Sequence, residues 1–351
     1  MKCELIFPDD HRWVDLLKSA PHDIYHTPEF LVFSGKYEDG SPLAFYGEDQ
    51  NERFLVPLLA RRLPSELGAP TQWRDLITPY GYPSPLLFPG EDSSKLDSFI
   101  QAFCTTCDDQ NFISAFIRLH PCLPLPVERL KKYAEIVRHG ETVALDLTQS
   151  EEGMWKQTRE NHRRTIKALR RSGFTVKIDD WLYYDDFIKI YQSTMERLAA
   201  DDFYFFSDGY FDDLRSYLGN LLHLCVVLAP NGEVASGGLF LGGTTILEYH
   251  LGGTREKYLK EAPSKLMFDY VRCWAKQAGC SLFHLGGGLG GRSDSLFRFK
   301  AGFSKLFREF HTARFIFNPQ KYSHLNCARQ KLSGAENPAR SDFFPLYRNR
   351  M

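Results

Sequence analysis

The spacing of apolar residues predicts a strand, a helix and a second strand within the stretch 244–303. Apolar and polar positions alternate over residues 245–251, as they do in a half-buried strand. After a polar loop, Pro263 opens a helix whose apolar residues recur at helical spacing until Gly279 ends it. Residues 281–285 predict a second, buried strand. Two strands joined through a helix indicate a parallel pair with a crossover connection.

A strand–turn–strand pattern occurs twice along the chain and indicates two similar halves. It covers residues 43–46 and 54–60, and again residues 224–229 and 234–241. The length of 351 residues also suits two domains. We therefore expect an α/β (α+β) fold with two tandem domains, each a mixed twisted sheet flanked by helices. The predicted bounds are 1–147 with 318–351 for the first domain and 148–317 for the second.

Composition narrows the classes of function without selecting one. Lysine and arginine total 43 against 44 aspartate and glutamate, so net charge gives no general bias toward nucleic acid or an anionic membrane. The eight cysteines include a single CxxC, Cys104 and Cys107, with no second pair to complete a zinc site. We expect reduced thiols, no metal, no membrane span and a cytoplasmic location.

A basic segment is the strongest local charge feature. One helix is predicted over residues 150–171, and positions 153–173 hold seven basic residues and one acidic residue. Arg159, Arg163, Lys167 and Arg170 fall on one helix face. The segment is either a solvated basic helix or a binding surface for phosphate groups of a nucleotide diphosphate, a CoA or a tRNA backbone.

The start of the helix after Pro263 is a second candidate anion site. Backbone N–H groups near Ser264, Lys265 and Leu266 are expected to be unpaired there, and the helix dipole favours an anion such as a diphosphate. Lys257, Lys260 and Lys265 add positive charge around it. The alternative is an ordinary crossover with a solvated lysine loop.

The glycine cluster at 286–291 matches the pattern G-x-G-x-x-G but lacks the rest of a dinucleotide fold. Such a fold needs a full helix, a further strand and an acidic residue at that strand's end, and little chain follows the motif. We expect these glycines instead to let a loop approach a substrate closely.

Several phrases of the sequence resemble the FemAB-type branch of the GNAT acyltransferase superfamily. They are YHLGG at 249–253, FHLGG at 283–287, DSLFRFKAGF at 294–303, YHTPEF at 25–30 and NHRRTIKA at 161–168. The resemblance implies two tandem GNAT-like domains, the first on the acceptor side and the second on the acyl-donor side. It also implies transfer of an acyl or aminoacyl group to an amine.

The resemblance further implies roles for particular residues. The donor would lie between diverging strands at 245–251 and 281–285, against Leu251, Gly252 and Gly253 and the anion site described above. Glu248, His250 and His284 are candidate proton acceptors, although each is also consistent with a hydrogen-bonded residue at the core edge. Asp294 would orient the amine, and Lys300 would offset developing negative charge. The remaining candidates for substrate contact are Tyr80, Arg159, Arg163, Arg164, Lys167 and Phe299.

The predicted reaction transfers an acyl group from acyl-CoA to an amine of a cell-envelope precursor. The acceptor would be a nucleotide-linked amino sugar held through its phosphates by the basic helix. The Gln/Arg-x-x-Gly-x-Gly/Ala signature of GNAT members is absent from the helix start, which leaves the donor open, and the basic segment leaves a further alternative. The alternative for the donor is an aminoacyl-tRNA-dependent transferase acting on a peptidoglycan precursor. The further alternative is a non-enzymatic nucleic-acid-binding module.

Overall fold

The computed structural model describes residues 1–90, 93–242, 245–333 and 343–349. Residues 91–92, 334–342 and 350–351 of the predicted first domain lie outside this range, as do residues 243–244 of the predicted second domain, of which 244 begins the predicted central stretch. The strands are β1 Lys2–Ile6, β2 Ser41–Asp49, β3 Glu52–Arg62, β4 Arg74–Ile77, β5 Leu86–Phe88, β6 Phe112–Arg118, β7 Glu135–Asp146, β8 Thr175–Ile178, β9 Leu222–Leu228, β10 Val234–Gly242, β11 Ile246–Thr254, β12 Leu282–Gly286 and β13 Leu306–Ile316. The helices are α1 His11–Leu17, α2 Pro28–Tyr37, α3 Leu96–Asp109, α4 Val127–Leu130, α5 Glu151–Gln157, α6 Glu160–Arg171, α7 Tyr184–Arg197, α8 Asp208–Leu218, α9 Ser264–Gln277, α10 Ser295–Lys300 and α11 Pro319–Ser333.

The chain divides into two compact units. Unit 1 comprises Met1–His139 and Phe310–Met351, and unit 2 comprises Gly140–Glu309. Both divisions fall inside strands, in β7 and in β13. The domain bounds predicted from the sequence lie just after the ends of the same two strands. The assignment of an acceptor side and a donor side to the two domains stays a prediction.

Unit 1 is a mixed sheet in the order β1-β2-β3-β4-β6-β13, with β5 also paired to β3. Every neighbouring pair in that order is antiparallel except β4 with β6. Phe99 and Phe103 of α3 pack on Phe54 and Phe45 of the sheet, with ring centroids 5.8 Å and 5.3 Å apart. These aromatic contacts anchor the apolar core of the unit.

Unit 2 repeats the same order of strand directions. Its sheet runs β8-β9-β10-β11-β12-β7, and only β11 and β12 are parallel. The two predicted hairpin patterns correspond to β2–β3 and β9–β10, which occupy matching places in the two sheets. Helix α9 forms the crossover between β11 and β12, as predicted.

Helix α9 forms because its apolar residues share one face and its ends are fixed by special residues. Leu266, Met267, Val271 and Ala275 are buried in the core of unit 2. Pro263 stands at the N-cap, and the residue after the C-terminal turn, Gly279, adopts a φ of 93° that favours glycine. The buried face of α9 therefore packs on the core of unit 2, and the helix connects the two parallel strands.

The single basic helix predicted over residues 150–171 is wrong, because the structure has two helices there. Thr158 and Arg159 between them have extended backbone, with ψ angles of 128° and 141°. The Thr158 hydroxyl donates to the Met154 carbonyl (3.1 Å) and accepts from Arg272 (2.9 Å). The Arg159 amide donates to the Gly302 carbonyl (2.7 Å), outside any helix. Tertiary hydrogen bonds therefore end α5 before α6 begins.

Two strand ends also differ from the prediction. Gly252 and Gly253, expected to release the chain from the strand, continue β11 opposite Gly238 and Gly237 of β10. Strand β13 starts four residues before the predicted position 310, at Leu306. In the described part of the chain, no helix combines the length and apolarity that a membrane crossing requires.

Candidate functional site

The central geometric feature of unit 2 is the place where the parallel strands β11 and β12 separate. Their pairing covers Ile246 with Leu282, Leu247 with Phe283 and Glu248 with His284, and it ends there. Strand β11 continues beside β10 as far as Thr254. Strand β12 ends at Gly286, which pairs with Val143 of β7 and has a φ of 74°. Backbone groups of both strands beyond Glu248 and His284 are thus released from the ladder between them.

A β-bulge in β11 lies at the same place. Tyr249 faces Phe240 of β10 and Leu251 faces Leu239, so His250 between them has no opposite residue. The Tyr210 hydroxyl of α8 lies 3.3 Å from His250 Nε2. Burial lowers the pKa of His250 to about 4, so its imidazole is neutral at pH 7 and retains a proton-accepting nitrogen.

Glu248 and His284 form a buried pair at the last rung of the parallel ladder. His284 Nδ1 lies 2.9 Å and 2.8 Å from the two carboxylate oxygens, and both side chains are at most 1% exposed. A carboxylate in this position fixes the tautomer with the proton on Nδ1, which makes Nε2 the basic nitrogen. Two of the three predicted proton acceptors therefore form one carboxylate–imidazole unit.

Lys300 lies at the end of the short helix α10 and is 6% exposed. Its Nζ donates to the Gly287 carbonyl (2.8 Å) and lies 5.5 Å from the centre of the Tyr249 ring. Burial lowers the pKa of Lys300 to about 8, against the opposing effect of Asp294 and Glu248. The ammonium form still predominates at pH 7.

Asp294 is the N-cap of α10. Its Oδ1 accepts from the Phe297 amide (2.8 Å), and its Oδ2 accepts from the Leu289 amide (2.9 Å). Both carboxylate oxygens therefore join the glycine cluster to the start of α10. This hydrogen bonding positions Lys300 at the other end of the helix, while the predicted contact of Asp294 with an amine stays a prediction.

Phe299 faces the interior of unit 2. Its ring centre lies 5.4 Å from His162, 5.7 Å from Phe268 and 5.6 Å from Phe303. Phe299 thus packs α10 against α6 and α9 next to the candidate site. Its predicted contact with substrate stays a prediction.

The starts of α6 and α9 lie side by side and form one basic surface. Lys265 Nζ of α9 lies 3.3 Å from Asn161 Oδ1 and 3.2 Å from Thr165 Oγ1 of α6. Burial and the nearby Arg159 charge lower the pKa of Lys265. We call Arg159, Arg163 and Lys265 the basic patch. The sequence predicts separate donor and acceptor sites for these residues, whereas the structure brings Arg159 and Lys265 together.

The other predicted basic residues have different surroundings. Arg170 pairs with Asp269 of α9 (2.6 Å), and Lys167 Nζ lies 5.8 Å from the Trp155 ring. Arg164 lies 4.0 Å from Glu160, and both side chains are mostly exposed. Arg170 is therefore held in an ion pair across to α9 although its side chain is about half exposed, while Lys167 and Arg164 of α6 are also near solvent.

The expectation of unpaired N–H groups at the start of α9 is wrong for two of the three named residues. The Lys265 amide donates to the Ala262 carbonyl (3.1 Å), and the Leu266 amide donates to the Pro263 carbonyl (2.9 Å). A tight turn at Ala262, whose φ is 52°, brings these carbonyls into reach. Lys257 pairs with Glu233, and Lys260 is exposed. A diphosphate at this helix start would therefore meet fewer backbone N–H donors than predicted. Of Ser264, Lys265 and Leu266, only the expectation for Ser264 stays a prediction.

Tyr80 is the one predicted site residue in unit 1. It follows β4, and its side chain is 38% exposed. Its amide donates to Glu38 Oε1 (2.8 Å). Its predicted role beside an acceptor stays a prediction.

The parallel pair of unit 1 is closed where that of unit 2 is open. The Thr78 amide donates to the Phe116 carbonyl (3.0 Å), so the contact between the two chain segments continues beyond β4. Arg118 Nη1 then donates to the carbonyls of Thr78 (2.6 Å) and Pro79 (3.3 Å). The Arg118 guanidinium thus hydrogen-bonds to carbonyl groups that would be exposed if the segment after β4 separated from β6.

Tyr249 and His162 lie beside the predicted site residues, although the sequence does not predict a role for either. Tyr249 packs between Phe240 and Phe268 with its ring facing Lys300. His162 lies between Phe299 and Phe303, and burial lowers its pKa to about 4. The position of Tyr249 between Glu248 and His250 was the available signal. Nothing local in the sequence marks His162, because its environment is formed by α10.

Comparison with known proteins agrees with this architecture. Residues 156–300 match the family model described as an acetyltransferase (GNAT) domain. The crystal structure of FemX superimposes with a TM-score of 0.70 at 13% identity, covering 92% of this chain and 99% of FemX. L-PGS from Bacillus licheniformis superimposes with a TM-score of 0.56 at 15% identity, covering 92% of this chain and 97% of L-PGS. No curated protein sequence matches the chain.

These comparisons confirm two expectations. The chain has the predicted mixed α/β fold with tandem GNAT-like halves, and it resembles the FemAB-like branch of the GNAT acyltransferases. The matched segment begins within α5 and ends at Lys300, so it contains the separating strands, the basic patch and every predicted proton acceptor.

Proposed function

We propose, from this FemAB-like GNAT fold, that the chain is an N-acyltransferase acting on an amine of a cell-envelope precursor, such as a nucleotide-linked amino sugar. The observation that carries the proposal is the separation of β11 from β12 directly beyond Glu248 and His284, with the Lys300 ammonium buried in the same unit. The acyl carrier enters between the two strands and meets backbone groups that the ladder leaves available.

The residues at this point match the requirements of amide formation. The amine nitrogen attacks the acyl carbonyl carbon, and the bond from that carbon to the carrier oxygen or sulfur breaks. A base accepts the proton that the amine loses, and the Glu248–His284 pair or the neutral His250 supplies it. Lys300 offsets the negative charge that develops on the carbonyl oxygen or the leaving group.

Unit 2 is the donor unit in this proposal. The matching parallel pair in unit 1 is closed by Thr78 and by the guanidinium of Arg118. The described residues of unit 1 offer an acyl carrier no comparable separation to enter. This assignment agrees with the predicted division into an acceptor side and a donor side.

Acyl-CoA was the donor predicted from the sequence, but details of the structure favour an aminoacyl-tRNA. The amides of Lys265 and Leu266 are used within the α9 turn, and Lys257 is paired with Glu233, which weakens a diphosphate site. The basic patch lies at adjoining helix starts, where a nucleic-acid backbone can reach several cations. We therefore rank an aminoacyl-tRNA donor first and acyl-CoA second.

Binding of the two donors distinguishes these candidates. Wild-type protein and the Arg159→Ala/Arg163→Ala variant are titrated with charged tRNA and with radiolabelled acetyl-CoA. The tRNA assignment predicts saturable tRNA binding that the double substitution weakens and that salt reduces. Saturable binding of acetyl-CoA without tRNA binding would reverse the ranking. Salt-sensitive binding of any duplex, with no acyl transfer from either donor, would favour a nucleic-acid-binding module instead.

Lys300 provides the test of the chemistry itself. The Lys300→Ala variant is expected to lower the turnover number at least ~10-fold, because electrostatic stabilisation of the transition state is lost. Lys305→Ala is the matched control, since Lys305 is an exposed lysine on the same segment. Steady-state assays with the donor identified by binding compare the two variants. Equal turnover in both would remove Lys300 from the reaction.

A further inference from the structure

Tyr249 lies next to Lys300 but has no role in the proposed reaction. Lys300 Nζ donates a hydrogen bond to the Gly287 carbonyl, and the centre of the Tyr249 ring lies 5.5 Å from Nζ. This separation is within the range in which an ammonium and an aromatic ring attract each other. Tyr249 also occupies the first position of β11 beyond the last rung that β11 shares with β12.

Packing fixes the Tyr249 ring in this place. Its centre lies 4.8 Å from Phe268 of α9, at an interplanar angle of 72°, and 5.6 Å from Phe240 of β10. The hydroxyl lies against Gly252, where an added Cβ would be only 2.2 Å from the Tyr249 oxygen. Helix, strand and glycine backbone therefore restrict the ring on three sides.

We infer that Tyr249 is a positioning residue for Lys300. The Tyr249 ring holds the Lys300 ammonium at the place where β11 and β12 separate. The inference rests on the proposed transfer reaction for its purpose, but the contact itself is independent of that reaction. With the ring on one side and the Gly287 carbonyl on another, the remaining N–H groups of Nζ have a restricted set of directions. The ring also favours the charged form, which burial disfavours.

Two charged groups from neighbouring segments act on Lys300. Asp294 precedes α10, Glu248 belongs to β11, and His284 of β12 is paired with Glu248. The two carboxylates favour the ammonium form, and burial opposes it. A change confined to Tyr249 leaves these groups in place, so its effect on Lys300 can be measured separately.

The test compares Tyr249→Phe, which keeps the ring, with Tyr249→Leu, which removes it. Protein labelled with ¹³C and ¹⁵N on the lysine side chains is titrated by NMR, and the Lys300 resonance is identified by its loss in Lys300→Arg. We expect the Lys300 pKa to fall by about half a unit in Tyr249→Leu and to remain at its wild-type value in Tyr249→Phe. Thermal unfolding confirms that both variants are folded.

This readout does not require acyl transfer, so it separates the inference from the proposed function. The same Lys300 pKa in wild type and in folded Tyr249→Leu would overturn the role of Tyr249, whatever the activity. A lowered pKa in a protein that transfers no acyl group would sustain the contact and reject the reaction. In an active protein, the alkaline limb of the pH–rate profile should move downward with the Lys300 pKa in Tyr249→Leu, and a limb that stays in place would overturn the positioning role.

Discussion

At the scale of single residues, Gly302 shows how tightly the region around Lys300 is packed. A Cβ on Gly302 would lie 2.0 Å from His162 Cε1 and 2.4 Å from its Nδ1. The imidazole has little room to move, because the rings of Phe299 and Phe303 lie 5.4 Å and 4.8 Å from it. The absence of a side chain at position 302 is therefore a condition for seating α6 against the segment that carries Lys300.

We predict that Gly302→Ala lowers the free energy of unfolding by roughly 1–3 kcal/mol, as overpacking of a core typically does. Urea unfolding followed by far-UV circular dichroism measures the change. Gly209→Ala on α8 is the matched control, because the nearest atom outside the helix backbone would be Ser207 Oγ, 3.9 Å from the new Cβ. That substitution should be neutral or stabilising. Equal stability of wild type and Gly302→Ala would contradict the close contact.

At the scale of elements, ion pairs to the buried Asp269 carboxylate fasten α6 and the α5–α6 break to α9. Asp269 of α9 accepts from Arg170 of α6 (2.6 Å) and from Arg272 (2.5 Å). Arg272 also donates to Thr158 at the break (2.9 Å), and both Asp269 and Arg272 are 2% exposed. Burial raises the pKa of Asp269, against the opposing effect of the two arginines.

Asp269→Ala should lower the free energy of unfolding by about 3–5 kcal/mol, because it leaves the buried Arg272 charge without its carboxylate. Glu152→Ala serves as the control, since it removes an exposed i,i+4 pair with Lys156 and should cost no more than about 0.5 kcal/mol. Chemical denaturation of both variants gives the comparison. Similar losses in the two variants would mean that Asp269 contributes no more than a surface charge.

The same elements show what the sequence could and could not predict. Strand β11, helix α9 and strand β12 were predicted within three residues of their ends, because apolar periodicity and the Pro263 and Gly279 signals are local. The break at Thr158 was missed because it depends on Arg272 and Gly302, each more than a hundred positions away. Residue types at the site were predicted, but the Glu248–His284 pair and the Tyr249–Lys300 contact arise only when distant segments meet.

At the scale of the whole molecule, the two units share one order of strand directions but differ in their buried polar groups. Unit 1 buries His26, whose Nε2 lies 2.9 Å from the Ser84 carbonyl, and unit 2 buries His162. Burial lowers the pKa of His26 to about 3 and that of His162 to about 4. His250 in unit 2 is shifted to about 4 for the same reason. Each unit therefore keeps at least one histidine neutral well below its ordinary pKa of 6.5.

These shifts predict that the protein loses stability as the pH falls from about 6.5 toward 4. In this window the unfolded chain binds protons at the three histidines and the folded chain does not, so acid favours unfolding. His26 is 0% exposed, and its shift alone should lower the free energy of unfolding by about 2 kcal/mol when the pH falls from 6.5 to 5. Glu38 and Asp269 act in the opposite sense, because burial raises the pKa of each and the folded chain then binds the proton more tightly.

Urea unfolding at pH 7.0 and pH 5.0 tests the prediction, with His26→Gln isolating one histidine from the opposing carboxyl groups. The glutamine amide can still donate to the Ser84 carbonyl but does not titrate. Stability of His26→Gln should therefore fall by about 2 kcal/mol less than that of wild type between the two pH values. The exposed His11→Gln is the control and should follow wild type. If His26→Gln and His11→Gln lose the same stability on acidification, His26 titrates in the folded chain much as it does in the unfolded chain.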